Sequence, residues 1–247
     1  MVRPDASAKL AATRPKDGPS RALIAAVVVA VLIIAAVVAV IVNSENGKAN
    51  ASKPQAALPN GGGVVVSGDA LKSGAPTVDL YEDFQCPFCK QLEASAGKQF
   101  VTLANSGQIK LVVHPLSFLD GNFGNDASLR AASAALCAAD VGKFTEYHTT
   151  VFQNQPAKEG TGYTDAQLMQ FADQAGITGG AKQTFEKCYK DGKYVQYVKN
   201  VQTRADKIPI TQTPTVKVNG KDLSTAQLNQ VLSDGSTLKS VIEAAAK

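Results

Sequence analysis

No feature constrains this chain more than the run ALIAAVVVAVLIIAAVVAVIV, Ala22–Val42, in which 21 consecutive residues carry no charged or polar side chain. As a helix the run spans about 30 Å, the thickness of bilayer hydrocarbon. A helix packed in a soluble core usually shows a polar stripe and this one has none, so a single transmembrane helix is expected over residues 22–42. Arg3, Lys9, Arg14, Lys16 and Arg21 precede it against Asp5 and Asp17, and Asn43, Ser44 and Glu45 follow it. That asymmetry puts residues 1–21, which also hold three prolines, in the cytoplasm as a disordered tail. Everything after Val42 then lies outside the cell membrane. A cleaved signal peptide is the rival reading, because Ala49–Ala51 offers a small-residue cleavage pattern. Signal cores usually run about 7–15 residues, which favours an uncleaved anchor. Both readings export the C-terminal part.

Residues 43–63 are rich in Ala, Asn, Gly, Ser and Pro and read as a flexible linker. Residues 64–247 remain, enough for one substantial core. With the five bases and two acids of the tail set aside, 20 bases face 19 acids. No basic surplus points to nucleic acid.

Export bears directly on the four cysteines, Cys86, Cys89, Cys137 and Cys188. Outside the membrane thiols tend to pair, and an even count fits that. A zinc site would want a second close pair or a histidine cluster. Cys137 and Cys188 stand 51 residues apart, and the only histidines, His114 and His148, form no ligand spacing with them. No metal is expected. As a structural staple Cys86–Cys89 would close a tiny loop and remove little chain entropy. A reversible redox couple is the better reading, and it needs no cofactor, since the two sulfurs carry the electrons.

The flanking sequence makes one sulfur reactive. APTVDLYEDF (Ala75–Phe84) is rich in strand formers, with Val78, Leu80 and Phe84 on one face and Glu82 an intruder. After Cys86 the sequence turns helical, and Pro87 suits a first helical turn, where its missing N–H costs nothing. Cys86 therefore sits at a strand-to-helix junction, where unpaired N–H groups and the helix dipole favour a thiolate. Cys86 is expected to attack and to carry the mixed disulfide, with Cys89 resolving it. QIKLVVHPLSF (Gln108–Phe118) follows as a second strand, giving a βαβ unit with parallel strands.

YEDFQCPFC (Tyr81–Cys89), TPTVKVNG (Thr213–Gly220) and, between them, GKFTEYHTTVFQNQ (Gly142–Gln155) resemble the signatures of exported DsbA-like thiol:disulfide oxidoreductases, in the membrane-anchored layout of actinobacterial members. The resemblance covers residues 64–247. It implies an α/β thioredoxin fold with an inserted helical domain at about 125–207, preceded here by the single transmembrane helix. It implies that Pro214 is cis and faces the cysteine pair, and that Thr213 offers its backbone to a substrate peptide beside Pro87 and Phe88. The implied partners are unfolded exported proteins with free thiols and a membrane quinone reductase of the DsbB or VKOR type.

Three positions depart from the family pattern. Phe88 stands where the best-known oxidant has a histidine that helps stabilise the thiolate, so a milder oxidant is expected. Leu80 occupies the position, six before the first cysteine, where relatives often bury an acid. Glu82, Asp83 and Glu93 are the alternative proton carriers, each equally readable as a solvated surface acid. Gln212 replaces a glycine often found before the Thr-Pro signature. Rival functions are a disulfide isomerase or reductase on the same fold, which the aromatic Phe88 and Thr213 suit, and a non-enzymatic peptide-binding module with an inert disulfide.

Helices are expected across Asn125–Phe152, Thr164–Gly176 and Gly180–Ile208, the last broken near Gly192, and in two C-terminal segments. Cys137 lies in the Ala-rich stretch ASAALCAAD and Cys188 in FEKCYKD. Both belong to the expected insertion, so a second, structural disulfide is expected between them. His114, before Pro115 at a strand end, reads as a structural polar residue. His148 reads as a residue of the helical insertion.

Overall fold

The computed structural model describes residues 21–49, 52–66 and 71–247. The chain divides into two units, residues 1–46 and 47–247. Helix α1 runs Arg21–Ala49, all but its last three residues in the first unit, and the side chains described on it, residues 24–38, are all exposed. Among the described residues no helix is long and apolar enough to cross a membrane. The expected cytoplasmic tail, up to residue 20, lies outside the described residues.

The second unit is built on a five-stranded sheet of order β1-β3-β2-β4-β5. Its strands are β1 (Val64–Val66), β2 (Thr77–Glu82), β3 (Lys110–Pro115), β4 (Thr215–Val218) and β5 (Lys221–Asp222). β2 and β3 run parallel, with Leu80 opposite Val113, while β4 lies antiparallel on the other side of β2, with Leu80 opposite Val216. A parallel pair needs a crossover. It comes from a helical run of α2 (Pro87–Leu92), a π-turn (Glu93–Gly97) and α3 (Lys98–Asn105). Side chains alternate across a strand, so Val78, Leu80 and Glu82 share one face with Leu111 and Val113. Asp79 and Tyr81 share the other with Val112 and His114.

The segment expected as a flexible linker differs in its second half. The chain is packed from Pro54, with Ala57 bridging Val64 and both buried. The Tyr197 hydroxyl donates to the carbonyls of Leu58 and Gly63 at 2.6 and 3.1 Å. Glycines that read as a tether by composition serve here as contacts: a Cβ on Gly61 would meet the backbone of Asn200 and Val201 at 2.5 Å.

Between β3 and β4 stand the inserted helices α4 (Asp120–Phe123), α5 (Ala127–Ala139), α6 (Phe144–Gln153), α7 (Asp165–Gln174), α8 (Gly179–Lys190) and α9 (Val195–Asp206). Eight alanine and serine residues of α5 (Ala127, Ser128, Ala131, Ala132, Ser133, Ala134, Ala135 and Ala138) are buried, which lets α6, α8 and α9 approach it closely. Tyr147, Leu168, Phe185, Tyr194 and Tyr197 fill the space around it. Cys137 of α5 and Cys188 of α8 are bonded to each other. The break expected near Gly192 falls there, with the glycine at φ +61° between α8 and α9. Two last helices, α10 (Thr225–Ser233) and α11 (Leu238–Ala245), pack on the crossover helix. α10 opens on a reciprocal cap between Ser224 and Gln227.

Candidate active site

Cys86 is the residue that caps α2 from extended backbone (φ −78°, ψ 120°), and Pro87 is the first helical residue. The chain turns here because the Asp83 carbonyl accepts from the Cys86 N–H at 3.0 Å and the Cys86 carbonyl from the Lys90 N–H at 3.2 Å. Cys86 is 5% exposed and Cys89 fully buried, while Phe88 stands out at 61%. Both cysteines are unbonded thiols in this structure. The Thr213–Pro214 peptide is cis and Pro214 is buried, and Thr213 presents its carbonyl to the Cys86 thiol at 3.2 Å. Strand β4, entered through that peptide, thus brings residues 213 and 214 to a cysteine 127 positions earlier.

The two sulfurs differ in proton affinity. A hydrogen bond from the Cys89 thiol, opposed by burial and aided by the Thr213 side chain and the N–H groups of Cys89 and Phe88, lowers the Cys86 pKa to about 7. Burial first, then the Cys86 sulfur and the charge of Glu82, hold Cys89 well above the ordinary thiol range. Near neutral pH one sulfur is ready to be a thiolate and the other a thiol. This is the asymmetry that thiol–disulfide exchange requires of an attacking and a resolving cysteine.

The family model described as Thioredoxin matches residues 68–234. The chain belongs to the thioredoxin family. Within the family it is similar to DsbA from Mycobacterium tuberculosis in its reduced form, at 27% identity over 73% of this chain and 98% of that one, with a TM-score of 0.55. Its fold also matches MdbA, a thiol-disulfide oxidoreductase from Actinomyces oris (20% identity, 80% of this chain and 94% of that one, TM-score 0.66). BdbD from Bacillus subtilis matches as well (22% identity, 80% and 99%, TM-score 0.60). Comparison with curated proteins finds no match. Fold and cysteine pair make this thioredoxin-family chain a DsbA-like thiol:disulfide oxidoreductase.

In this member of the thioredoxin family, the inserted helices also hold the cysteine loop. Gln155, just after α6, donates through Nε2 to the carbonyls of Phe84 and Cys86 at 2.8 and 3.0 Å, and the Tyr163 hydroxyl donates to the same Phe84 carbonyl at 2.8 Å. Lys90 returns the contact from α2 to the Gln155 carbonyl at 3.1 Å. Asp83 is fully buried and accepts from the N–H groups of Gln85 and Leu119 and from the Ser128 hydroxyl. Burial raises its pKa to about 6 against those three donors. Gln155 closes the stretch Gly142–Gln155 that carried the resemblance but was given no role, and Tyr163 did not stand out, because a tyrosine in an insertion carries no motif.

Of the three acids left open as solvated surface groups, Glu82 and Asp83 are buried and Glu93 is half-buried. Glu82 is 2% exposed and pairs with His148 Nε2, and Glu93 accepts from the Thr149 hydroxyl at 2.7 Å. His148 thus reaches from the insertion to β2, beyond the purely local role that its sequence suggested. The Glu93 carboxylate folds back over the π-turn onto Gly97, where a Cβ would displace it. His114 keeps its structural reading: it bonds Asp79 at 2.9 Å and stacks on Tyr81 with centroids 4.1 Å apart, on the opposite sheet face. Among the described residues no group of three or more His, Cys, Asp or Glu side chains is arranged to hold a metal ion.

Proposed function

We propose that this oxidoreductase is a disulfide donor that acts outside the cell membrane, tethered by the apolar run Ala22–Val42. The observation that carries the reading is the split between the two sulfurs, Cys86 lowered to about 7 and Cys89 raised. In the oxidised enzyme a thiolate of an unfolded exported protein attacks Cys86, the member of the Cys86/Cys89 pair that keeps some exposure. The Cys86–Cys89 bond breaks and its electron pair goes to Cys89. A second substrate thiolate then attacks the substrate sulfur of the mixed disulfide, and Cys86 departs as a thiolate. Stabilising that thiolate favours transfer of the disulfide to the substrate. The side chain of Phe88 offers no hydrogen bond to it, which suits a mild oxidant. The exposed Phe88 ring and the Thr213 backbone supply a platform for an extended substrate peptide.

Reoxidation falls to a membrane quinone reductase of the DsbB or VKOR type. The tether supports this, since it would keep enzyme and reductase in one membrane, N-terminus in the cytoplasm and dithiol outside. The direction of transfer is tested by titrating the full chain against glutathione, alongside refolding of a reduced and of a scrambled substrate. A potential well above that of thioredoxin, about −270 mV, with oxidation of the reduced substrate, is expected. A thioredoxin-like potential, or repair of the scrambled substrate alone, would favour the isomerase or reductase reading that Phe88 and Thr213 also suit.

A further inference from the structure

Cys89 has no exposed surface, yet each catalytic cycle must deliver a proton to it or remove one. When the Cys86–Cys89 bond is broken by a substrate thiolate, the electron pair lands on Cys89, and burial makes the bare thiolate costly there. Solvent does not reach that sulfur directly. A line of side chains does lead from solvent towards it. Glu82, four residues before Cys86 on the buried strand β2, pairs with His148 Nε2 of α6. The other ring nitrogen of His148 lies 3.9 Å from Glu93 Oε1. Glu93 and Thr149 line an open cleft of about 860 Å³ between the crossover helix and α6. A small void of about 20 Å³, bordered by Leu80, Glu93 and His148, is large enough for one water.

We infer that Glu82, His148 and Glu93 form a proton relay joining that cleft to Cys89, with the inserted helical domain supplying the central residue. It rests on the dithiol chemistry proposed above and holds for either direction of electron flow. The surroundings favour a relay over a static ion pair. Phe84, Phe144 and Phe152 pack around the imidazole, and its two ring nitrogens face the two carboxyl groups. Burial alone would lower the pKa of His148, but the Glu82 carboxylate carries it up to about 9, while burial raises Glu82 itself. The pair therefore keeps an exchangeable proton at neutral pH. Glu82 is also the carboxyl group whose charge bears on the Cys89 sulfur.

The step balances as follows. A substrate thiolate, its proton already in solvent, bonds to Cys86 as the Cys86–Cys89 bond breaks. Cys89 takes the electron pair, and the Glu82–His148 pair gives it one proton. Glu93 passes a proton from the cleft to restore the pair. The second substrate thiol releases its proton to solvent, forms the substrate disulfide and leaves Cys86 as a thiolate. Two electrons and one proton stay on the enzyme, and one proton is gained by solvent.

Glu82→Gln, His148→Gln and Glu93→Gln in the full chain separate a relay from a structural role. The oxidised proteins are reduced with excess dithiothreitol from pH 5 to 9, quenched in acid and counted by thiol alkylation. The groups that face the relay are Cys89 from α2 and Glu93 from the π-turn, while His114 of β3 acts on Glu82 by charge from the other face of the sheet. The pH of Cys86 alkylation is read in parallel, because its own partners are Cys89, Thr213 and backbone donors. We expect Glu82→Gln and His148→Gln to slow reduction on the order of 10²-fold at pH 7 and to flatten its pH profile, while Cys86 still titrates near 7. Glu93→Gln should slow it less, and it carries the test if the other two fail to fold. Wild-type rates and pH profiles in all folded variants overturn the relay, as does slowing accompanied by a shifted Cys86 titration. A wild-type chain that never exchanges with the dithiol overturns the parent reading instead.

Discussion

The two cysteine pairs of this protein have the same chemistry and opposite surroundings. Cys86 and Cys89 have two residues between them at the mouth of a helix, and a bond between them crosslinks almost nothing. Cys137 and Cys188 are 51 residues apart, lie between α5 and α8 and are bonded. The first pair has a thiolate-stabilising helix end and a neighbouring carbonyl. The second lies between an alanine-rich helix and α8, with both residues buried. Whether a disulfide is a tool or a staple is thus decided by what surrounds the sulfurs and by how much chain the bond closes.

The contrast breaks most sharply by removing one sulfur at a time. Cys86→Ala is expected to abolish dithiol oxidation and insulin reduction outright. Cys89→Ala should accumulate mixed disulfides with substrate, visible as reducible adducts on non-reducing gels. Turnover in Cys86→Ala without adducts in Cys89→Ala would assign the roles the other way. The paired replacement Cys137→Ala with Cys188→Ala should leave exchange intact at low temperature but lower the stability of the fold by about 4 kcal/mol in the chain-entropy model. Denaturant unfolding of the oxidised proteins measures this. Equal midpoints would show that the second bond is not a staple.

A smaller change sharpens the tool side of the comparison. Phe88→His places a hydrogen-bonding ring beside Cys86 and should make the protein more oxidising. A tenfold change in equilibrium corresponds to about 30 mV for this two-electron couple. Glutathione titration reads it, and an unchanged or more reducing potential would count against the role given to Phe88. The smallest effect is on pH dependence. The Cys86 pKa is lowered on folding, from 9.0 to about 7. Its contribution to the stability of the reduced form is therefore complete above pH 9 and lost as pH falls through about 7. Cys89, raised on folding, opposes this only at higher pH. Reduced wild type should gain stability over reduced Cys86→Ala between pH 7 and 9, whereas the Cys137–Cys188 bond should contribute equally across that range.

Much of this was legible in the sequence because it is local. Period-two alternation in residues 75–84, Pro87 after Cys86 and a helical composition beyond it specify the strand, the turn and the reactive sulfur within a dozen residues. The Ala-rich stretch around Cys137 and the glycine at 192 likewise announce a close-packed helix and a break. Contacts that cross the fold were not legible. Glu82 meets His148 across 66 positions, and Gln155 meets the Phe84 carbonyl across 71. No spacing encodes such a meeting. Glu82 looked like an intruder on an apolar face because its partner comes from another part of the chain. Residues 54–63 misled for the opposite reason: their composition is that of a tether, and the tyrosine hydroxyl that pins them lies far downstream.

The contacts that run from the helical insertion to the cysteine loop also bear on modularity. A thioredoxin core could in principle be trimmed by joining β3 directly to β4, leaving a minimal sheet with its two cysteines. Here such a deletion would remove His148, Gln155, Tyr163 and Ser128 together. It would strand the Glu82 and Asp83 carboxyl groups and the Phe84 carbonyl inside the core, and a buried group stripped of its partner is strongly destabilising. Insertion and core therefore cannot be exchanged as separate parts. In any chimera built from this scaffold, the strand before the first cysteine and the helix bearing His148 have to be inherited as one piece.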